Sequence, residues 1–197
     1  MRLRSYRFLI SVALLVLLTL TACAPTSRKD PFAYAESAFS LSVEGTYLPA
    51  NDPRGVPRPF AATVTVDAPQ GGDLTERGLS VTFTAPPSLA GITVIATPSV
   101  APDGSISRRV EFTYPSDHGN IQAIAEGGEL DGLLRFAQGW LPMGDVTEVS
   151  PKNADGSYTV TRSDGDRVAV FTFAEDNSFP MAVRVTDQRG TVEMSVQ

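Results

Sequence analysis

The chain has 197 residues, a single cysteine, a single histidine and a formal net charge of −6. That acidic balance argues against nucleic acid as a partner and against electrostatic docking on anionic lipid, since both select basic patches. One cysteine allows no intrachain disulfide, and once assigned to the N-terminal motif described below it leaves no Cys-based metal site or nucleophile. Stability must come from an apolar core, for which the length is sufficient.

The chain opens with Arg2, Arg4 and Arg7, followed by an uncharged, mostly apolar run over residues 8–18. An eleven-residue helix is only about 16 Å long, against a hydrocarbon core of about 30 Å. The run therefore reads as the h-region of an export signal and not as a membrane span. It ends in Leu20-Thr21-Ala22-Cys23. These four residues resemble the lipobox of bacterial lipoproteins: a branched apolar residue, two small residues, then cysteine. The resemblance implies that Cys23 is diacylated on sulfur and becomes the first residue of the mature chain. The plain alternative is an ordinary secretory signal with a cysteine near its end. More than one acyl chain is needed for stable anchoring, a condition that a diacylated, N-acylated cysteine meets. The expected location is extracytoplasmic and lipid-anchored: the outer face of the plasma membrane in a monoderm, or the outer membrane in a diderm. Ala24 stands where an inner-membrane retention Asp would stand. The 175 residues from Cys23 onward carry 13 basic and 22 acidic side chains, a net charge of −9. Membrane contact is thus assigned to the acyl anchor.

Residues 23–37 read as the lipidated cysteine and a short tether, polar and proline-containing. Within it Pro31, Phe32, Ala33 and Tyr34 are the first residues expected to touch the domain. From Phe39 to the C-terminus the period is two, the signature of strands. Phe39, Leu41, Val43 and Gly45 alternate with Ser40, Ser42 and Glu44. A loop with prolines at 49, 53, 57 and 59 follows, long for a hairpin. Phe60, Ala62, Val64 and Val66 form the next apolar set, then Leu79, Val81 and Phe83, then Ile92, Val94 and Ala96. Val110, Phe112 and Tyr114 alternate with Arg109, Glu111 and Thr113. Alternation this regular suits antiparallel sheets with one solvated face.

One helix stands out. Leu130, Leu133, Leu134, Ala137, Trp140 and Leu141 follow the i, i+3, i+4, i+7 spacing. Glu129 and Asp131 suit the positive end of its dipole, and Pro142 closes it. Residues 121–125 before it fit either strand or helix. Strands then return at 146–150 and 158–161, at Val168, Val170, Phe171 and Phe173, at Met181, Val183 and Val185, and at Val192, Met194 and Val196, joined by Asp-Gly and Asn-type turns. The expectation is a mainly β (α+β) single domain over 38–197, an open antiparallel half-barrel of about ten strands wrapped on one main helix.

The start Phe39-x-Leu41-x-Val43-x-Gly45, and the end Phe171-x-Phe173-x-Glu175-Asp176 with Pro180, Val183 and Val185, resemble the first hairpin and closing strands of the LolA/LolB-like lipoprotein-carrier superfamily. The resemblance implies a non-enzymatic protein whose sheet, curved around a helix, leaves an apolar cavity for a lipid or a lipidated partner. The candidate ligand-lining residues are the inward sets Val64, Val66, Val81, Phe83, Phe112, Phe171 and Phe173, with Leu133, Leu134 and Trp140 as a lid from the helix. Alternating apolar residues of this kind also make an ordinary packed core. The other reading is an envelope scaffold with a filled core that holds a protein partner.

Signals for chemistry are sparse. Ser116, Asp117 and His118 are adjacent, and three neighbours in a polar turn cannot easily converge as a triad; a solvated loop histidine fits better. Asp155-Gly156 and Asp164-Gly165-Asp166 lack the twelve-residue calcium loop with its terminal Glu and read as hairpin turns. Gly127-Gly128 lacks the Lys-Ser/Thr of a phosphate loop. Glu175-Asp176 reads as a solvated turn. No cofactor and no metal are implied.

Overall fold

The structure, a computed structural model, describes residues 30–69, 77–100, 106–116, 119–126, 131–175 and 179–197. Residues 31–197 form one compact unit. It begins with a 3-10 turn (Ala33–Glu36) and continues through β1 (Phe39–Pro49), β2 (Arg58–Val66), β3 (Leu79–Ala85), β4 (Thr93–Val100), β5 (Ile106–Ser116) and β6 (Gly119–Glu126). The helix α1 (Asp131–Gln138) follows, then β7 (Asp145–Val149), β8 (Tyr158–Asp164), β9 (Arg167–Phe173), β10 (Ala182–Asp187) and β11 (Gly190–Val196).

All eleven strands belong to one antiparallel sheet, in the order β6-β5-β4-β3-β2-β1-β11-β10-β9-β8-β7. It is two meanders sewn together where the first strand meets the last, with Val43 opposite Val196 and Pro49 opposite Gly190. β6 and β7 are the two edges and do not pair, so the sheet stays open. The eighteen residues between them must cross from one edge to the other, and α1 lies in that crossing. A flat sheet of this width would span about 48 Å at about 4.8 Å per strand. The crossing segment reaches about that far only if stretched taut around its helix, so a coiled sheet with α1 inside its curve is the economical solution. This is the open antiparallel sheet around one helix that the sequence led us to expect, with one strand more than the approximate count. The segment over residues 121–125 is strand.

The alternation in sequence is the alternation in burial. Phe60, Ala62, Val64 and Val66 are buried along β2, as are Leu79, Val81 and Phe83 along β3 and Val183 and Val185 along β10. In β9 the phase differs from the apolar run read in the sequence. Ala169, Phe171 and Phe173 point inward, while Val168 is exposed and Val170 half-buried on the outer face. The run Val168-Ala169-Val170-Phe171 does not alternate in polarity, so only register against β8 and β10 decides its faces.

The helix is shorter at its C-terminal end than its apolar spacing suggests. After Gln138 the bonding tightens to i→i−3, with Trp140 N–H donating to Ala137 O (3.1 Å) and Leu141 N–H to Gln138 O (3.0 Å). The apolar stripe continues through this tightened turn, so Trp140 and Leu141 are still buried. Gly139 is required there by packing: a Cβ would stand 2.6 Å from Met194 Cε and 3.3 Å from Val185 Cγ2.

The residues expected to make first contact with the domain do so. Phe32 is buried, with its ring edge-on to Phe171 (5.1 Å between centroids) and Phe173 (5.6 Å). The Tyr34 hydroxyl donates to Trp140 O at 2.6 Å. Three arginines brace this end. Arg77 donates to Ala35 O (2.7 Å), Arg167 to Gln138 O (3.1 Å), and Arg162 to Gly144 O while lying 4.9 Å over the Phe32 ring. Arg77 and Arg167 thus satisfy terminal carbonyls of the 3-10 turn and of α1, groups that have no partner inside their own helix. Burial lowers the affinity of both guanidinium groups for their proton. Burial also pushes the Tyr34 phenol far above its usual range, an effect that Arg162, Arg167 and Arg77 offset in part.

Candidate functional site

At the opposite end of the inner face the core is not filled. A cavity of about 620 Å³ opens between α1 and strands β1, β2, β3 and β5, with the β3–β4 loop and the β10–β11 turn beside it. Its floor is aromatic: the Phe136 ring meets Phe60 at 4.7 Å, Phe83 at 5.3 Å and Tyr47 at 6.2 Å, all near-perpendicular. Edge-to-face packing places the positive edge of one ring on the negative face of the next, which fixes the floor as a unit. Leu133, Phe112, Leu89 and Ile92 form the far wall. Leu133 and Phe112 are half-buried, so apolar surface here faces the opening.

The near wall is basic. Arg58, Arg135 and Arg189 line it, and among the described residues no Asp or Glu does. Arg135 is fixed by Asp187 (Nη2 to Oδ1, 3.0 Å) and by Gly190 O (3.0 Å), with its guanidinium 5.2 Å from the Tyr47 ring centroid. Its Nε and Nη1 are buried and have no hydrogen-bond acceptor. Arg58 stands cross-strand from Tyr47 and pairs with Asp52 at 2.9 Å. The amide of Arg54, with the Arg58 guanidinium, holds the Asp52 carboxyl below its usual range. Arg189 is placed by its backbone: its carbonyl accepts from Ala50 N–H (2.9 Å) and from the Tyr47 hydroxyl (3.1 Å), and its own N–H donates to Asp187 Oδ1 (2.7 Å).

Of the ten candidate ligand-lining residues, Phe83, Phe112 and Leu133 come together on this cavity. Val64, Val66, Val81, Leu134, Trp140, Phe171 and Phe173 do not line it; each has zero exposure and sits inside the core. Sequence reasoning missed the floor and the basic wall. Phe136 stands three residues after Leu133 and four before Trp140, so the same helical spacing could have found it at the edge of the stripe. Arg135 lies between two buried residues of that helix, where a charge is ordinarily assigned to solvent.

Elsewhere the chemistry is structural. Asp155 Oδ1 accepts from the Ser157 amide (2.9 Å) and hydroxyl (2.7 Å), which holds its carboxyl below the usual range and forms the turn before β8. Asp164-Gly165-Asp166 forms the β8–β9 hairpin turn, with Gly165 at φ 56°. Glu175 pairs with Lys152 at 2.8 Å. Ser116 donates to Gly119 O. Cys23, Asp117, His118, Gly127, Gly128 and Asp176 lie outside the described residues. Among the described residues no three His, Cys, Asp or Glu side chains are grouped to hold a metal ion, and no helix is long and apolar enough to cross a membrane.

No family model and no curated protein sequence matches the chain. Similar solved structures include a DUF1329 family protein from Desulfovibrio piger, at 8% identity and a TM-score of 0.44 over 85% of this chain and 86% of that one. They also include a domain from Vibrio parahaemolyticus described as an outer membrane lipoprotein-sorting protein, at 8% identity and a TM-score of 0.37 over 82% and 83% of the two chains. The architecture stands on the chain's own strand order and on the helix inside its sheet.

Proposed function

We propose that this chain is a lipoprotein anchored through Cys23 whose half-barrel binds, without catalysis, a lipid or the acyl part of a lipidated partner. The observation that carries this reading is the half-open cavity between α1 and the sheet, with an aromatic floor and half-buried Leu133 and Phe112 on its rim. Its volume of about 620 Å³ falls within the range of small-molecule sites, roughly 300–1,000 Å³. Apolar surface left in contact with water costs free energy in proportion to its area, and an apolar occupant recovers that cost.

Among the described residues the core lies between Phe32 and Met194, and residues 24–197 contain all of it. Native mass spectrometry of that chain, purified from cells, tests the reading. Co-purifying acyl-bearing masses are expected, and Leu133→Trp, which places a large ring in the cavity, is expected to abolish them. An apo mass that takes up none of the lipids offered to it refutes the carrier reading. That result would favour the envelope scaffold, which has its own support in Ile121 and Ile124, 57% and 59% exposed on edge strand β6.

A further inference from the structure

We infer that the cavity is built for a single-chain amphiphile with an anionic head, a carboxylate or a phosphate, and that Arg58 and Arg189 hold the head with the charge of Arg135 behind them. The inference rests on the carrier reading and specifies its ligand class.

Volume limits the number of chains. A water molecule occupies about 30 Å³ in the liquid, and a methylene carbon is of similar size, so about 620 Å³ admits on the order of twenty non-hydrogen atoms. That is one long acyl chain with its head group. It is too small for the two chains of a phospholipid or the three of a mature lipoprotein.

The lining sets the orientation. Arg58 opens β2, Arg189 lies in the β10–β11 turn and Arg135 is on α1, whereas the opposite wall, on β3, the β3–β4 loop and β5, is mostly apolar. Beyond that wall the inner face of the sheet continues uncovered through Tyr114, 41% exposed, and Ile121, which are directly paired across β5 and β6. A chain anchored at the arginines would run toward β5, and a longer one would emerge along these two residues.

The charge is not a reflection of composition. The chain is acidic overall, yet among the described residues three arginines and no carboxylate line this cavity. Asp52 and Asp187 neutralise two of them, and among the described residues the Arg189 side chain has no ion pair. Arg135 is about 95% buried and its Nε and Nη1 are closed to solvent, so it adds positive charge behind the wall. Arg58 and Arg189 are the exposed guanidinium groups, and a charge-assisted hydrogen bond to an anionic oxygen is the strong kind they can make.

The test is calorimetric titration of residues 24–197 at low salt with four sixteen-carbon probes: hexadecanoate, 1-hexadecanoyl lysophosphatidate, hexadecanol and dihexadecanoyl phosphatidylglycerol, with the three single chains delivered from the same cyclodextrin stock and the last in vesicles. One equivalent of an anionic single chain is expected to bind at least tenfold more tightly than hexadecanol. Whichever anion binds more tightly, carboxylate or phosphate, identifies the source of the head. Arg58→Gln/Arg189→Gln, both at exposed positions and therefore foldable, is expected to reduce that preference to less than threefold while hexadecanol binding is unchanged. Equal binding of hexadecanol and the anions would overturn the head-group inference and leave the carrier reading standing. Stoichiometric binding of the two-chain lipid as tight as that of the single chains would overturn the single-chain limit. No binding of any probe would overturn both this inference and the carrier reading.

Discussion

Phe136 and Phe112 both touch the cavity, but the structure gives them different work. Phe136 is 5% exposed and meets three other rings between 4.7 and 6.2 Å, so it ties α1 to β1, β2 and β3. Truncating a buried Phe to Ala costs about 3–5 kcal/mol. The adjoining cavity lets neighbours relax into the gap, which favours the lower half of that range. Phe112 is half-buried with no ring contact among the described residues. If about half of its roughly 150–200 Å² is removed from water, truncation costs at most about 2 kcal/mol at about 25 cal/mol per Å². In a unit of 167 residues, each kcal/mol shifts Tm by about 2–4 °C. At the middle of that range, about 3 °C per kcal/mol, Phe136→Ala is expected to lower Tm by about 9–12 °C and Phe112→Ala by no more than about 6 °C. Urea titration with an unchanged m-value would confirm that the folded state, and not the unfolded chain, is the source. Ligand binding should show the reverse order per kcal/mol lost, since Phe112 faces the opening. Equal destabilisation by the two variants, or a larger loss from Phe112→Ala, would refute the assignment of floor and wall.

Asp187→Asn should destabilise by about 2–4 kcal/mol because it leaves Arg135 buried without its counter-charge, whereas Arg135→Met, which removes the charge as well, should cost less than half as much; chemical denaturation ranks the two, and the opposite order would contradict the buried-pair account. Asp52 and Asp155 have folded-state affinities for protons below the ordinary carboxylate value. Their stabilisation is therefore fully present above about pH 4 and is lost as pH falls through the lower folded value. In Tm measured from pH 7 down to pH 2, the double variant Asp52→Asn/Asp155→Asn should show a shallower acid decline than the parent, and an identical acid limb would exclude the mechanism. Gly144 has φ 77°, and a Cβ there would collide with the Ser163 carbonyl, while Gly55 at φ 60° faces open space. Gly144→Ala should cost upward of about 3 kcal/mol and Gly55→Ala about 1 kcal/mol; comparable losses in a thermal melt would mean that the close approach of β7 and β8 is not rigid. Cys23→Ser should abolish metabolic labelling with palmitate and move the protein from the membrane pellet to the soluble fraction, and labelling that persists in the variant would rule out Cys23 as the acylated residue.

Most of the sheet was legible in the sequence because one face of it is dry and the other wet. Phe60, Ala62, Val64 and Val66 alternate with small or hydroxyl residues, and the structure buries that set. Where polarity does not alternate, faces were ambiguous, as in Val168-Ala169-Val170-Phe171. Tyr114 continues the alternation of β5 but is 41% exposed, because no described element covers the sheet there; periodicity reports which face a residue takes and is silent on whether that face is covered. The site was legible only in part. Phe83, Phe112 and Leu133 could be named from their alternation and helical spacing, but nothing in those patterns separates them from Val81 or Leu134, which are core. The arginines were invisible because Arg58, Arg135 and Arg189 are far apart in sequence and meet only through the pairing of β1 with β2 and with β11 and through the docking of α1, whose Arg135 bonds Asp187 and Gly190 O.

The location of the cavity follows from coverage. An eight-residue helix is about 12 Å long, and it must serve the inner face of a sheet about 48 Å across before coiling. α1 covers β2 to β4, and the tightened turn after it reaches β10 and β11 through Gly139. The 3-10 turn supplies the second cover, setting Phe32 on Phe171 and Phe173 of β9. No third element lies over the inner face of β5 and β6 among the described residues, and there the burial of apolar side chains fails in order along the paired strands: Val110 is buried, Phe112 half-buried, Tyr114 and Ile121 exposed. A protein stabilised by its core alone gains nothing from leaving that graded apolar strip open beside an aromatic floor. A ligand that completes the cover would remove the strip from water, and it would bind most strongly if its length matched the distance from the arginines to Tyr114. Varying acyl length from ten to eighteen carbons should therefore raise affinity at each step and then level off once the chain passes Tyr114, and in Tyr114→Ser the plateau should begin at a shorter chain. An affinity that climbs without a plateau, or a plateau that ignores Tyr114, would place the chain somewhere other than along this strip.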